Sequence, residues 1–290
     1  FWRQGKGYAR EFAFQMIEEI KKSEGPVSQV LKKRCPQSDT ELYGNSLIFA
    51  FAGHDTTGHT LTWLIYELAK NQSYQNRLQQ EVDLFWKQQN NKPIQLSDLK
   101  RLKFMTRCIM ETLRLWTAVP NGTFRELLED ETINGLNNKK VKLKKGTFVQ
   151  IFTWARHRNP ELWGQDVNIF NPDRNFKDEE IWDNQGFQFF NPNSERFSPF
   201  VYPPRDCIGK NFAQIEMRLI LLNLLKNYTF VLTKEQFLES IKGSYLGINR
   251  ATLGPKDIYH PYNKHNKGTR PFNLGMYVYL ISRKEIRSSL

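Results

Sequence analysis

The chain has 290 residues, of which 39% are hydrophobic and 13% aromatic, enough for a large packed core in one or two domains. Its 42 Lys and Arg against 30 Asp and Glu leave a formal charge of +12, which favours an acidic partner or surface, but the lysines are scattered and argue against a nucleic-acid site. The three cysteines, Cys35, Cys108 and Cys207, form no Cys-x-x-Cys pair, so zinc and a disulfide framework are disfavoured, and no apolar run approaches the ~20 residues of a bilayer span.

The charge surplus is read either as a solvated basic surface or as a docking face. The cysteine pattern fits a reducing, cytosol-facing environment. No signal peptide is visible, and Phe1 in place of Met is read as the mark of a fragment.

In chain order, residues 8–22 have helical periodicity and end at "SEGP". Asp39 and Thr40 are expected to cap a long helix running to Lys70. "YQNRLQQEVDLFWKQQ" predicts a second helix. "LSDLKRLKFMTRCIMETLRLW" predicts two short ones, with Ser97 or Asp98 as cap. "ETINGLNNKKVKLKKGTFVQIFTWA" carries hairpin signals, an Asn-Gly pair and a Lys-Gly turn among alternating residues. Residues 157–206 read as mostly irregular. "CIGKNFAQIEMRLILLNLLKNYTF" predicts a strong helix with a strand-like tail, "NLGMYVYLISRK" predicts strand, and residues 256–270 read as a surface loop.

Four stretches carry chemistry. The first is "FAFAGHDTTGHTLTW", residues 49–63, where an apolar helix holds glycines, an acid, threonines and histidines at its centre. Buried polar groups cost free energy unless paired, and glycine costs a helix interior about 1 kcal/mol against alanine. Two readings stay open. A threonine hydroxyl bonding back one turn can bend the helix around a polar ligand, or the patch is a packing contact with satisfied threonines. His54 and His59 are five apart and make no helical metal pair; His59 is read as structural or exposed.

The second is Glu111-Thr-Leu-Arg114, whose charged residues share a helix face. In the apolar setting "IMETLRLW" a buried pair needs another hydrogen-bonding partner. The third, "FNPDRNF", presents Arg174 from a proline-fixed turn and can supply it. The fourth, "PFVYPPRDCIGKNFAQIEMRL", sets Cys207 just before a helix, where free N–H groups favour a thiolate. Gly209 permits a close turn, and Arg205 can pair with an anion.

In order and spacing these elements resemble the cytochrome P450 family of haem-thiolate enzymes, from about residue 40 to the C-terminus. The resemblance implies a mainly α fold with small β-sheets, and residues 1–290 as a single incomplete domain that starts near the oxygen-binding helix. It implies haem b (iron protoporphyrin IX), with Cys207 as axial iron ligand, Arg205 and Arg125 on its propionates, and Phe200 beside the thiolate loop. Glu111, Arg114 and Arg174 match a structural triad, for which Arg196 is a rival third member lying too near Cys207 in sequence. Ala52 and Gly53 match the bend that admits dioxygen, and Asp55 and Thr56 the acid–alcohol pair that relays protons. The resemblance further implies hydroxylation of a lipophilic small molecule, with a fatty acid suggested by "GHDTT". Electrons would come from NADPH through a flavoprotein reductase with an acidic face. The location would be the cytosolic face of the endoplasmic reticulum membrane, through a segment not in this chain.

Two departures stand out. Pro203 replaces the first glycine of Phe-x-x-Gly-x-Arg-x-Cys-x-Gly, and Val201 stands at another position often glycine. Proline is fixed near φ −65°, whereas glycine often marks positive φ. The family's long N-terminal portion is also not present. Two alternatives follow: a truncated chain or pseudoenzyme without stable haem binding, and a peroxide-rearranging relative, against which the Asp55–Thr56 pair argues.

Overall fold

The structure is a computed structural model that describes residues 11, 15, 18–25, 28–29, 33, 39–135, 138–181, 194–202, 204–232 and 278–283. The chain divides into two compact units, Phe1–Thr56 and Thr57–Leu290, each described by itself. Cys35 and the expected loop at 256–270 lie outside the described residues.

In the first unit residues 18–22 are helical, within the span whose periodicity predicts it. The long helix α1, Asp39–Lys70, contributes residues 39–56 to this unit. Asp39 and Thr40 already have helical backbone, so neither stands outside the helix as the expected cap. The Ser46 hydroxyl donates to Leu42 O at 2.7 Å, the local bond by which serine competes for a helix carbonyl.

The second unit holds the rest of α1 and a helical core. Helix α2, Gln72–Gln89, buries Leu78, Val82 and Phe85 on one stripe at helical spacing. It ends where Asn90 takes φ 46° and donates to Trp86 O, a left-handed C-terminal stop. A 3-10 turn at Leu96–Arg101 follows. Its cap is Gln95 rather than Ser97 or Asp98; Asp98 sits one turn in and its carboxylate accepts from Gln95 N at 2.8 Å. That bond holds the Asp98 carboxyl below the usual range. Helix α3, Lys103–Leu115, has no side-chain cap of its own. Glu81 of α2 supplies one, accepting from Phe104 N and Met105 N at 2.7 and 2.8 Å. A carboxylate there satisfies two orphan donors and meets the positive end of the helix dipole.

Four short strands come next: β1 (Thr123–Glu126), β2 (Glu131–Asn134), β3 (Lys140–Leu143) and β4 (Phe148–Ile151). β2 pairs antiparallel with β3, Ile133 opposite Val141. Asn134-Gly135 is no two-residue turn, because residues 135–139 intervene. The Lys-Gly turn does not join paired strands either. Gly146, at φ 81°, donates to Leu127 O at 2.8 Å and sends β4 back to β1, with Arg125 opposite Val149.

The short helices α4 (Thr153–His157) and α5 (Pro160–Trp163) follow, then mostly irregular chain with a 3-10 turn at Asp178–Glu180. Helix α6, Lys210–Asn227, runs directly into β5, Tyr228–Leu232, which pairs antiparallel with β6, Val278–Ser282.

The core gathers Leu78, Val82, Met105, Ile109, Leu221 and Leu222, all fully or almost fully buried, from α2, α3 and α6. Around Phe197, the rings of Trp163 and Phe176 pack edge to face at 6.0 and 5.3 Å. A row of glutamine amides on α2 then meets β5. Gln75 donates to Phe230 O at 2.8 Å and accepts from Phe230 N at 2.7 Å; Gln72 and Gln79 donate to Phe230 O and Tyr228 O. The architecture is mainly α with small two-stranded antiparallel sheets, as expected. Among the described residues no helix is long and apolar enough to cross a membrane.

Candidate cofactor site

Cys207 lies on a loop that the chain's own hydrogen bonds hold. Cys207 N donates to Phe200 O at 2.9 Å, Arg205 N to Tyr202 O at 3.2 Å and Val201 N to Ser198 O at 3.1 Å. Phe200 packs against the core, so the loop is anchored through a partly buried ring. The thiol itself is exposed, three residues before the first residue of α6. Gly209 caps that helix at φ −87°, so its backbone does not demand glycine; a Cβ there would sit 3.9 Å from Cys207 Sγ. The positive φ of this loop falls on Val201, at 65°. A β-branched residue in the left-handed region is strained. Pro203 lies outside the described residues. The other described cysteine, Cys108, is buried, and burial pushes its thiol well up, which makes it inert.

Glu111 and Arg114 are both fully buried on α3. Arg114 engages both carboxylate oxygens, Nε to Oε2 at 2.7 Å and Nη2 to Oε1 at 2.8 Å, and its Nη1 donates to His157 O and Val167 O. Arg174 Nε reaches Glu111 Oε1 at 3.1 Å; its other nitrogens donate to Asp166 Oδ1, Trp163 O, Asp166 O and Ile169 O. Asn171 N adds a further donor to Glu111 at 3.0 Å. Arg196 is not part of this cluster. Its guanidinium forks onto Glu180, Nε to Oε1 and Nη2 to Oε2, each at 2.8 Å. Burial alone would raise the Glu180 carboxyl, but the bonds from Arg196, Ser194 and Lys177 N outweigh it and hold it below the usual range.

Arg125 and Arg205 line one cavity of about 280 Å³ together with Arg156, Ser198 and Tyr202. Sequence reasoning missed Arg156; the signal was the basic tripeptide Arg156-His157-Arg158 at the end of an apolar segment. His157 is fully buried, and its Nε2 accepts from Ser198 N at 3.1 Å, which requires the neutral ring. Burial, with the charges of Arg156 and Arg114, pushes its pKa well below the usual imidazole value. Arg158 stacks 3.6 Å over Trp154, and burial lowers its pKa to about 9. Trp116 Nε1 donates to buried Glu67 at 2.9 Å, while burial pushes that carboxyl up.

Ala52, Gly53, Asp55 and Thr56 belong to the first unit. Helix α1 is continuous through them. The Thr56 hydroxyl donates to Ala52 O at 2.7 Å, one turn back, which presents its oxygen as an acceptor. Among the described residues a Cβ on Gly53 would meet nothing within 4 Å, so packing does not impose glycine there. His59, in the second unit, is buried.

The donor set suits a group bearing both a soft metal site and carboxylates. An exposed thiol precedes a helix, and three guanidiniums line a cavity with no acid among its described lining residues.

A family model described as Cytochrome P450 matches residues 18–256. The chain is 33% identical over 223 residues to the putative cytochrome P450 CYP13A2 of Caenorhabditis elegans, covering 77% of this chain and 39% of that relative. It is 33% identical over 231 residues to the putative cytochrome P450 CYP13A6 of the same organism, covering 80% and 40%. It is 36% identical over 190 residues to cytochrome P450 4F8 of Homo sapiens, covering 65% and 34%. The chain thus spans about two-fifths or less of the length of these relatives.

Proposed function

The chain belongs to the cytochrome P450 family, and on that footing we propose that it is the haem-binding portion of a haem-thiolate monooxygenase. Cys207 would hold the haem iron through its Sγ, and the Cys207 N to Phe200 O bond fixes the loop that presents it. Arg205 and Arg125, which line the cavity, would hold the carboxylates of haem b. When bound, the haem supplies dioxygen activation and oxygen insertion into a C–H bond.

The chain's own residues position and protonate. The Glu111–Arg114–Arg174 cluster fixes the irregular segment carrying Val167 and Ile169 to α3. Asp55 brings protons in from solvent, and the Thr56 hydroxyl passes them on through an ordered water. Phe200 packs beside the loop that carries the thiol and anchors it to the core. The substrate is a lipophilic small molecule, with a fatty acid as the finer reading. Electrons come from NADPH through a flavoprotein reductase whose acidic face meets the surplus of 12 positive charges. The proposed location is the cytosolic face of the endoplasmic reticulum membrane.

The observation that carries this reading is the exposed Cys207 thiol, set before α6 in a chain of this family. The test is a carbon monoxide difference spectrum of the reduced, haem-reconstituted chain and of a version extended with upstream coding sequence. The red-shifted Soret band of thiolate ligation is expected, and Cys207→Ser should abolish it. No such band in either version would sink the reading. Thr56→Ala is expected to uncouple oxygen consumption from product; unchanged coupling would remove Thr56 from the proton route.

A further inference from the structure

Three arginines share the cavity beside the cysteine loop, but they differ in setting. Arg125 and Arg205 are exposed, so solvent screens their charge. Arg125 also donates to the carbonyl of its neighbour Phe124 at 2.8 Å. Arg156 is half-buried. Its Nη2 donates to the Ser198 hydroxyl, and its Nε is buried with no hydrogen-bond partner among the described residues.

Among the described residues lining the cavity, none supplies Arg156 with a negative charge: that lining contains no Asp or Glu. His157, next along the chain, is held neutral by its buried acceptor bond. The Tyr202 phenol is pushed up by burial and stays protonated, while the Arg156 pKa is pushed down by the same cause. A half-buried guanidinium without a counter-charge is costly to the folded chain. A carboxylate entering the cavity would repay that cost, because a guanidinium fork matches a carboxylate in two parallel bonds.

The local fold brings the three cations to the same place. β1 and β4 pair with Thr123 opposite Ile151, so the chain leaving β4 enters α4 beside the strand that carries Arg125. Thr153 and Arg156 lie three apart on α4 and share a face toward the cavity. The hydrogen bond from Arg156 to Ser198 ties that face to the start of the cysteine loop.

We propose that Arg156 is a third carboxylate-binding residue of the haem site, acting with Arg125 and Arg205 on a haem carboxylate. The inference rests on the haem-thiolate reading above. The shared chemistry, a carboxylate, has two sources: the haem itself and a fatty-acid substrate.

The experiment titrates the full chain with haemin and with haemin dimethyl ester, following tryptophan quenching, for wild type, Arg156→Met and Arg156→Lys. Arg156→Met is expected to weaken haemin binding about tenfold to hundredfold, the size of a lost hydrogen-bonded charge pair. Arg156→Lys should lose less, and all three chains should bind the ester equally. Equal haemin affinity in wild type and Arg156→Met would overturn the proposal while leaving the thiolate band, and so the haem-thiolate reading, intact. Unchanged haemin affinity with a weakened dodecanoate-induced spectral shift in Arg156→Met would also overturn it, in favour of the substrate carboxylate. A wild-type chain that shows no thiolate band sinks both. If circular dichroism shows Arg156→Met unfolded, the Arg156→Lys titration decides: a weakened haemin affinity with unchanged ester affinity supports the proposal, and equal haemin affinity overturns it.

Discussion

Two groups of guanidiniums in the second unit solve opposite problems. Around Glu111 the cations have built-in counter-charges: one fully buried carboxylate faces Arg114 and Arg174, Asp166 adds a second to Arg174, and further N–H groups go to carbonyls of residues 157–169. Around the cavity, Arg125, Arg156 and Arg205 have no acid among the described lining residues. The first arrangement is closed and holds chain to chain. The second is open, with guanidiniums that no carboxylate of the described lining engages. The same residue type thus serves structure where the carboxylate is built in, and binding where it is not.

The largest expected effect breaks the closed group. Glu111→Ala leaves the fully buried Arg114 without a counter-charge and Arg174 with only Asp166, and should cost about 3–5 kcal/mol in denaturant unfolding, enough to unfold a marginal domain. Arg174→Lys keeps the charge but loses the fork and should cost about 2 kcal/mol. Val201→Gly, in the cavity lining, should stabilise the chain by about 1 kcal/mol, because a left-handed φ of 65° suits glycine and strains valine. Arg156→Met should stabilise the haem-free chain by about 1 kcal/mol, because it removes a half-buried cation that lacks a counter-charge among the described lining residues. A loss as large as that at Glu111 would erase the distinction between the groups.

The finest test is pH. His157 has its folded pKa depressed by burial, so below about 6.5 the unfolded chain takes a proton that the folded chain refuses. Stability therefore falls as pH drops through that value. Glu67, raised by burial, acts with the opposite sign at lower pH. Comparing melting profiles of wild type and His157→Gln isolates the imidazole contribution; identical pH slopes would show that His157 does not titrate between the two states.

Much of this was legible in the sequence. Helices α2 and α6 follow from apolar periodicity, and the elements around Glu111, Arg174 and Cys207 are motifs of fixed spacing. What escaped the sequence was the long-range pairing. A Lys-Gly turn signals only that the chain reverses; it does not say that β4 returns past β3 to β1. The sequence preferred Arg174 to Arg196 by its distance from Cys207, but the partner that Arg196 takes instead, Glu180, lies sixteen positions before it in an irregular segment without periodicity. Arg156 escaped because its neighbours in the cavity come from β1 and the cysteine loop, both remote in sequence. Val201 was noted as a departure, but which residue of that loop carries positive φ is a property of the folded backbone.

The glutamine row on α2 has a consequence beyond satisfying polar groups. A two-stranded ribbon has two open sides, and each is a template on which another chain can add a strand. On one side of β5, Gln75 imitates a neighbouring strand by both giving and taking a bond at Phe230, with Gln72 and Gln79 covering its flanks. The helix therefore acts as an end-stop that no incoming chain can displace without opening the core. Intermolecular sheet growth, the route by which expressed domains form fibrous aggregates, is blocked on that side. Substituting the three glutamines by alanine would unblock it, and the variant should be recognised by its concentration-dependent loss from solution.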